Sequence, residues 1–318
     1  MGRYLIRRIL QFIPVFLGAT LLIYSLVFLI PGDPIRALSG DRALPESVQM
    51  ELRDRYNLDD PFLIQYGKYV GVVPDEEDGF NGLLQGNFGT NFRGRPVTEI
   101  IGEAFPVTAK LAFLAFCIEV VMGIAIGVLA GLRSGSFIDN FVKISTILVI
   151  SIPIFVIGYV AQLYLGVEWK IFPVAYRAAD GIRAMILPAL VLASLSLAYV
   201  ARLTRTSLIE NRRADYVRTA RSKGMPKHRV IIHHTLRNSL IPVVTYLGFD
   251  LGALMAGAIV TESIFNIPGL GRAAYQGVIL QEGTVVVGIV TALVLIYMIS
   301  NLVVDMLYAW LDPRIRYE

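Results

Sequence analysis

The sequence predicts an all-α protein that crosses a membrane six times, and three observations carry that reading. Only 17% of the 318 residues are charged and 55% are hydrophobic, whereas a soluble domain carries roughly a quarter charged residues. Apolar runs of about 20 residues recur along the chain, the length a helix needs to cross the hydrocarbon core of a bilayer. Basic residues gather in one polar segment between two such runs, the kind of asymmetry that orients a membrane protein.

Arg3, Arg7 and Arg8 precede an uncharged run of 22 residues from Ile9 to Ile30. The run exceeds a typical signal-peptide core and no small-x-small cleavage site follows it, so residues 1–30 are read as a retained first helix. Pro31-Gly32-Asp33-Pro34 should end it. Residues 31–104 form a hydrophilic segment of 74 residues, long enough that it is expected to be functional or disordered. An amphipathic helix is expected over Pro45–Tyr56. Phe80, Leu83, Leu84, Phe88 and Phe92, set among the glycines from Gly79 to Gly94, predict partial order there.

The second span is expected over Phe105–Leu132, with Gly123, Gly127 and Gly131 spaced by four so that another helix can come close. The third should cover Ile144–Val167, kinked at Pro153. The fourth is expected over Ala184–Leu203, the fifth over Leu240–Phe265 with Gly248 and Gly252 again four apart, and the sixth over Thr284–Trp310. The glycine contacts are expected to let helices slide. No internal repeat or composition break divides the chain, which is read as a single domain over 1–318, with a helical core at 105–310 and a tail at 311–318.

Six spans place both termini on one side. Cytoplasmic termini put 17 of the 29 Lys/Arg inside; the seven in the long segment count little, because long loops translocate largely regardless of charge. The formal charge of +4 is thereby absorbed by topology, and no nucleic-acid partner is expected.

The polar segment 202–237 holds ten Lys/Arg and all three histidines, against Glu210 and Asp215. Inside it a short helix is predicted over Tyr216–Lys223. Asp215 is the expected N-cap, Gly224 the left-handed residue after the last turn, and Pro226 the block to continuation. Tyr216, Ala220 and Lys223 share a face at helical spacing, and the small Ala220 would let another surface approach. Two turns alone are marginal in water, so a partner is expected to brace them. The blander alternative is a solvated basic loop that only orients the protein.

Catalytic and cofactor motifs are missing from the sequence. There is no Gly-x4-Gly-Lys-Ser/Thr loop, so any ATP that drives this protein must bind another subunit, and Gly269-x-Gly271 reads as a turn. His228, His233 and His234 lack the spacing of a metal set, and the single Cys117 allows no intramolecular disulfide. No nucleophile, base and orienting carboxylate assemble into a catalytic set. Glu119, Asp250 and Asp305 interrupt apolar runs, and each should face a partner or a water-filled cavity. Glu119 and Asp250 are candidates for lining a translocation route that favours a cationic group such as a peptide ammonium. The alternative is pairing with polar groups such as Lys110 or Lys143. An ion-coupled secondary transporter, a reading of another class, would use the same carboxylates without ATP.

Asp215-Tyr-Val-Arg-Thr-Ala-Arg-Ser-Lys-Gly224, followed by Leu236-Arg-Asn-Ser-Leu-Ile-Pro242, resembles the cytoplasmic loop of ABC importer permeases. The Glu-Ala-Ala triplet of that family falls on Arg218, Thr219 and Ala220, and its glycine on Gly224; Ala220 and Gly224 match literally. The family's proline would fall at Arg237, whereas this chain has Pro242, a form associated with the dipeptide and oligopeptide branch. Tyr4–Leu10, Ile30–Pro34, Gly86–Arg93, Glu262–Gly271 and Leu311–Arg316 also resemble the B-type permease of that branch. The four residues Asp75–Asp78 look like an acidic insertion and receive no role.

The resemblance implies a type I ABC importer permease architecture in a bacterial-type inner membrane, with lipid around it and both termini cytoplasmic. It implies a homologous second permease and two ATPase subunits that hold ATP and Mg, this chain holding neither. It also implies an extracytoplasmic peptide-binding protein, and Gly79–Arg95, with Asn87, Phe88, Phe92 and Arg93, is expected to contact it. Asp215, Tyr216, Thr219, Ala220, Lys223 and Gly224 would form the coupling helix that docks on an ATPase. Relatives that import nickel, glutathione or other small solutes keep the cargo open.

Overall fold

The computed structural model describes residues 2–28, 45–47, 50, 53, 57, 59–75 and 79–311. Among these the chain is helical, without strands and with two isolated bridges, Asp75–Gly79 and Thr90–Pro96. The helices are α1 (Gly2–Phe28), α2 (Phe62–Val70), α3 (Val97–Leu132), α4 (Phe137–Ser151), α5 (Ile154–Glu168), α6 (Arg183–Arg213), α7 (Asp215–Ser222), α8 (Ile241–Ile264), α9 (Leu270–Ile279) and α10 (Gly283–Leu311). The Pro31–Pro34 stop, most of the helix expected over Pro45–Tyr56, acidic residues 76–78 and tail residues 312–318 fall outside the described residues.

Helices α1, α3, α6, α8 and α10 are each long and apolar enough to cross a membrane, and α4 with α5 makes a sixth span only as a pair bent by 104°. The expected kink at Pro153 is therefore a full break. Pro153 lacks an N–H and sits in extended backbone (φ −57°, ψ 138°) as the N-cap of α5, so one helix stops and another starts. Two other spans run longer than their apolar stretches suggest: α3 starts at Val97, and α6 continues to Arg213.

The chain divides into two compact units, one of residues 1–108 with 268–318 and the other of residues 109–267. In the first, Tyr24 of α1 meets Phe62, Tyr66 and Tyr69 of α2, with ring centroids 5.8, 5.7 and 5.2 Å away. The Tyr66 hydroxyl lies 2.8 Å from Thr20 Oγ1, and the Tyr69 hydroxyl donates to Thr291 Oγ1 (2.9 Å). Burial pushes the Tyr69 phenol up to about 12, so it stays a neutral donor. Asp305 pairs with Arg8 (3.2 Å), a partner the sequence reading did not name. The Gly/Asn-rich stretch is ordered as expected: Gly86, Gly89 and Gly94 take positive φ, and Val97 N–H returns to Gly89 O.

In the second unit the glycines of α3 seat it on α6. A Cβ on Gly123 would come 2.7 Å from Val200 Cγ1, one on Gly127 2.6 Å from the Ala201 carbonyl and Thr204 Cβ, and one on Gly131 2.9 Å from Leu208 Cδ2. The four-residue spacing on both helices is ridge-into-groove packing. The close approach expected at these glycines is thus made, by α6. At the far end of α8, Phe265 ends the helix, Asn266 takes a left-handed φ of 56°, and Ile267 N–H closes on Glu262 O (2.8 Å). This Schellman-type turn buries Phe265 and Ile267 completely.

Replacing Gly127 by Val should destabilise the purified protein by about 1–3 kcal/mol through overpacking, with Gly127→Ala intermediate. Thermal unfolding in detergent will read the difference.

Candidate functional site

Helix α7 is short, polar and closed at its C-terminal end. Ala214, in extended backbone, is its N-cap, and Asp215 is its first residue without a side-chain capping bond. This corrects the expected cap. Asp215 still sits at the positive end of the helix dipole, exposed, 3.5 Å from Arg218. The C-terminus follows expectation: Gly224 takes φ 75°, its N–H bonds Arg221 O (3.0 Å), and Met225 N–H bonds Ala220 O (3.3 Å). That double closure is a Schellman motif, and its hydrophobic contact is present, since Met225 packs on Val217, Ala220 and Val230.

The packing corrects the expected outer face. Ala220 is only 6% exposed and Val217 is fully buried, so the small residue faces this chain's own core. Tyr216 is half-exposed, and its hydroxyl donates to Asn211 Oδ1. Outward stand Asp215, Arg218, Thr219, Arg221, Ser222 and Lys223. Arg218 and Asp215 are 76% and 95% exposed by side chain. Beyond Pro226 the chain is helical again, Lys227–Arg229 running into a π segment, Val230–Leu236, and then Arg237–Ser239. Lys227, His228 and Arg229 are exposed. The surface is strongly cationic, with α7 at its edge.

What carries α7 is the polar end of α6. Asp139, 1% exposed, receives Arg205 through two guanidinium nitrogens, Nε and Nη2 (the latter at 2.9 Å). It also accepts Gly135 N–H (2.8 Å) and has Lys143 Nζ at 3.8 Å. Two turns further on, Arg212 Nη1 donates to Gly131 O and Leu132 O (3.0 Å each), capping the last carbonyls of α3. Two arginines on one face thus tie the α6 extension to α3 and to the start of α4. The sequence reading placed Arg205 and Arg212 in a loop and missed both contacts. The available signal was Thr204, Ser207 and Leu208, which continue the buried stripe of α6 at helical spacing.

The two central carboxyls come together. Glu119 begins a π segment of α3, Glu119–Gly123, and is 0% exposed. Its carboxyl meets that of Asp250 on α8, beside Ser196 of α6. Tyr246 OH donates to Asp250 Oδ1 (3.0 Å). Neither Glu119 oxygen has a hydrogen-bond donor, nor has Asp250 Oδ2. Pairing with Lys110 or Lys143 is not observed: Lys143 goes to Asp139. Both carboxyls are buried, so in this conformation neither is open to a permeant solute.

On the hydrophilic segment, Asn87, Phe88 and Phe92 are half-buried and Arg93 exposed. Asn87 Oδ1 accepts Gly89 N–H (2.8 Å), and Phe88 lies against Gly288 of α10. Phe92 N–H and the Arg93 charge both face Glu282. Asn87 and Phe88 therefore shape the loop, while Phe80 and Leu84, 60% and 66% exposed, are its outward apolar groups.

Residues 123–317 match the model of the binding-protein-dependent transport system inner membrane component family, and residues 1–112 match the model of its N-terminal part. The chain belongs to this family. It is therefore a multi-pass inner-membrane protein. It is similar over its full length, and over the full length of the relatives, to two of them: the dipeptide transport system permease protein of Escherichia coli K12 (34% identical over 348 residues) and a putative peptide transport system permease protein of Brucella abortus (36% over 324 residues). The di/tripeptide transport system permease protein of Pseudomonas aeruginosa is 35% identical over 342 residues, covering 99% of each chain. Helix α7, the two arginines and Asp250 lie inside the matched family region, whereas Glu119 falls between the two matched stretches.

In this permease-family chain, Arg205→Met would leave Asp139 buried with the Gly135 N–H and, as its only nearby cation among the described residues, the distant Lys143. The expected loss is roughly 3–5 kcal/mol. The double variant Asp139→Leu/Arg205→Met should recover much of it, and a double-mutant cycle on unfolding in detergent checks both values.

Proposed function

We propose that this chain is one permease of an ATP-driven importer of di- and oligopeptides. It forms half of the route beside a homologous second permease, and α7 couples that route to one of two ATPase subunits that bind ATP and Mg. A peptide-binding protein delivers cargo on the opposite side, toward the loop that carries Phe80, Leu84 and Arg93. Both termini and α7 face the cytoplasm, in line with the positive-inside rule. The peptide cargo rests on full-length similarity to permeases named for dipeptides, di/tripeptides and peptides.

One observation supports the coupling role above the rest: an eight-residue polar helix, closed at its C-terminal end, stands on a buried anchor. A helix this short does not persist in water unaided. Val217, Ala220, Met225 and Val230 fix its inner face, which leaves Thr219, Lys223 and the neighbouring arginines free to meet another protein. A push on that face enters α6 at Arg213. Through Arg205–Asp139 and Arg212 it reaches α4 and α3, which the glycine contacts bring close against α6.

Thr219→Trp should lower ATP-driven dipeptide uptake at least tenfold in cells, with membrane insertion unchanged. Ala220→Glu should instead reduce the amount of folded protein, because it places a charge in this chain's own core. Full uptake by the Thr219 variant would overturn the docking role, and uptake of dipeptide equal in cells lacking the gene would overturn the cargo.

A further inference from the structure

The family reading gives no task to the buried meeting of Glu119 and Asp250. Three of the four oxygens, Glu119 Oε1 and Oε2 and Asp250 Oδ2, are buried without a donor. Ionised carboxylates only accept hydrogen bonds, so the contact as two anions sets acceptor against acceptor. Two carboxyls sharing a site do not both ionise, and an unpaired carboxylate in the hydrocarbon layer is costly. The surrounding groups offer no counter-charge. Asp250 is faced by Tyr246 from its own helix, Glu119 by Ser196 from α6, and among the described residues neither carboxyl has an ion pair.

We propose that Glu119 and Asp250 form a proton-binding site within the span bundle, holding one proton between the two carboxyls. A hydroxyl on Glu119 donates to Asp250 Oδ2, and the remaining Glu119 oxygen faces Ser196 of α6. Asp250 Oδ1 keeps the Tyr246 hydroxyl. Two of the three unpartnered oxygens are then satisfied, and the charge of the pair falls from two to one, the proton coming from solvent. The site ties α3, α6 and α8 together at the π segment, and π segments recur at functional positions in helices.

Infrared spectroscopy of the purified full-length protein in lipid at neutral pH tests this directly. The wild type should show a protonated-carboxyl C=O band that shifts on deuteration. Glu119→Gln should remove that intensity, because the amide N–H takes over donation to Asp250. Asp250→Asn should keep the band and move it, since the acceptor has changed. Intensity unchanged by Glu119→Gln, or a band unmoved by Asp250→Asn, overturns the proposal. Should the glutamine variant fail to accumulate, the asparagine variant decides alone. No readout depends on transport, so failure here is separate from failure of the importer reading.

Discussion

The close approach of α3 to α6 is the constraint on which the second unit rests. Apolar side chains gain little by leaving lipid for each other, so helices in a bilayer associate through packing and polar contacts. Gly123, Gly127 and Gly131 remove the side chains that would hold the two axes apart, and Val200, Thr204 and Leu208 fill the space. That approach brings the last carbonyls of α3 within reach of Arg212. It also sets Glu119 against α6 and α8. Without it, neither the cap nor the carboxyl pair could form.

The same seat accounts for the length of α6. A polar helical end projecting past its apolar stretch would fray on its own, because the terminal backbone groups and flexible side chains gain nothing from helicity. Here Thr204, Ser207 and Leu208 stay buried, while Arg205 and Arg212 find an aspartate and two carbonyls. The extension becomes a rigid arm, and α7 stands at its tip with its apolar face already used. Rigidity also explains why the exposed cations of α7 and of residues 227–229 can present one fixed surface instead of an average over loop conformations.

Much was legible in the residues, and the misses share a cause. Apolar length placed the spans to within a few residues for α1, α8 and α10. Pro153 marked the break in the third span, although not its size. The ends of α6 and α3 were misjudged because hydropathy weighs lipid contact alone, whereas Arg205, Arg212 and Val97 (buried, with its N–H on Gly89 O at 2.9 Å) are stabilised by protein partners. Asp305 was expected to find a partner and did, in Arg8, far away in the chain.

What the sequence determined alone is what local physics governs. The all-α class follows from apolar runs whose backbone must satisfy itself in lipid, and the end of α7 from a glycine at the one position that requires a left-handed residue. Tertiary structure decided the rest: that Ala220 turns inward, that Asp139 meets Arg205, and that Glu119 meets Asp250. Each depends on which helix faces pack together, and that is settled by the shapes of side chains distant in sequence, which no local pattern encodes.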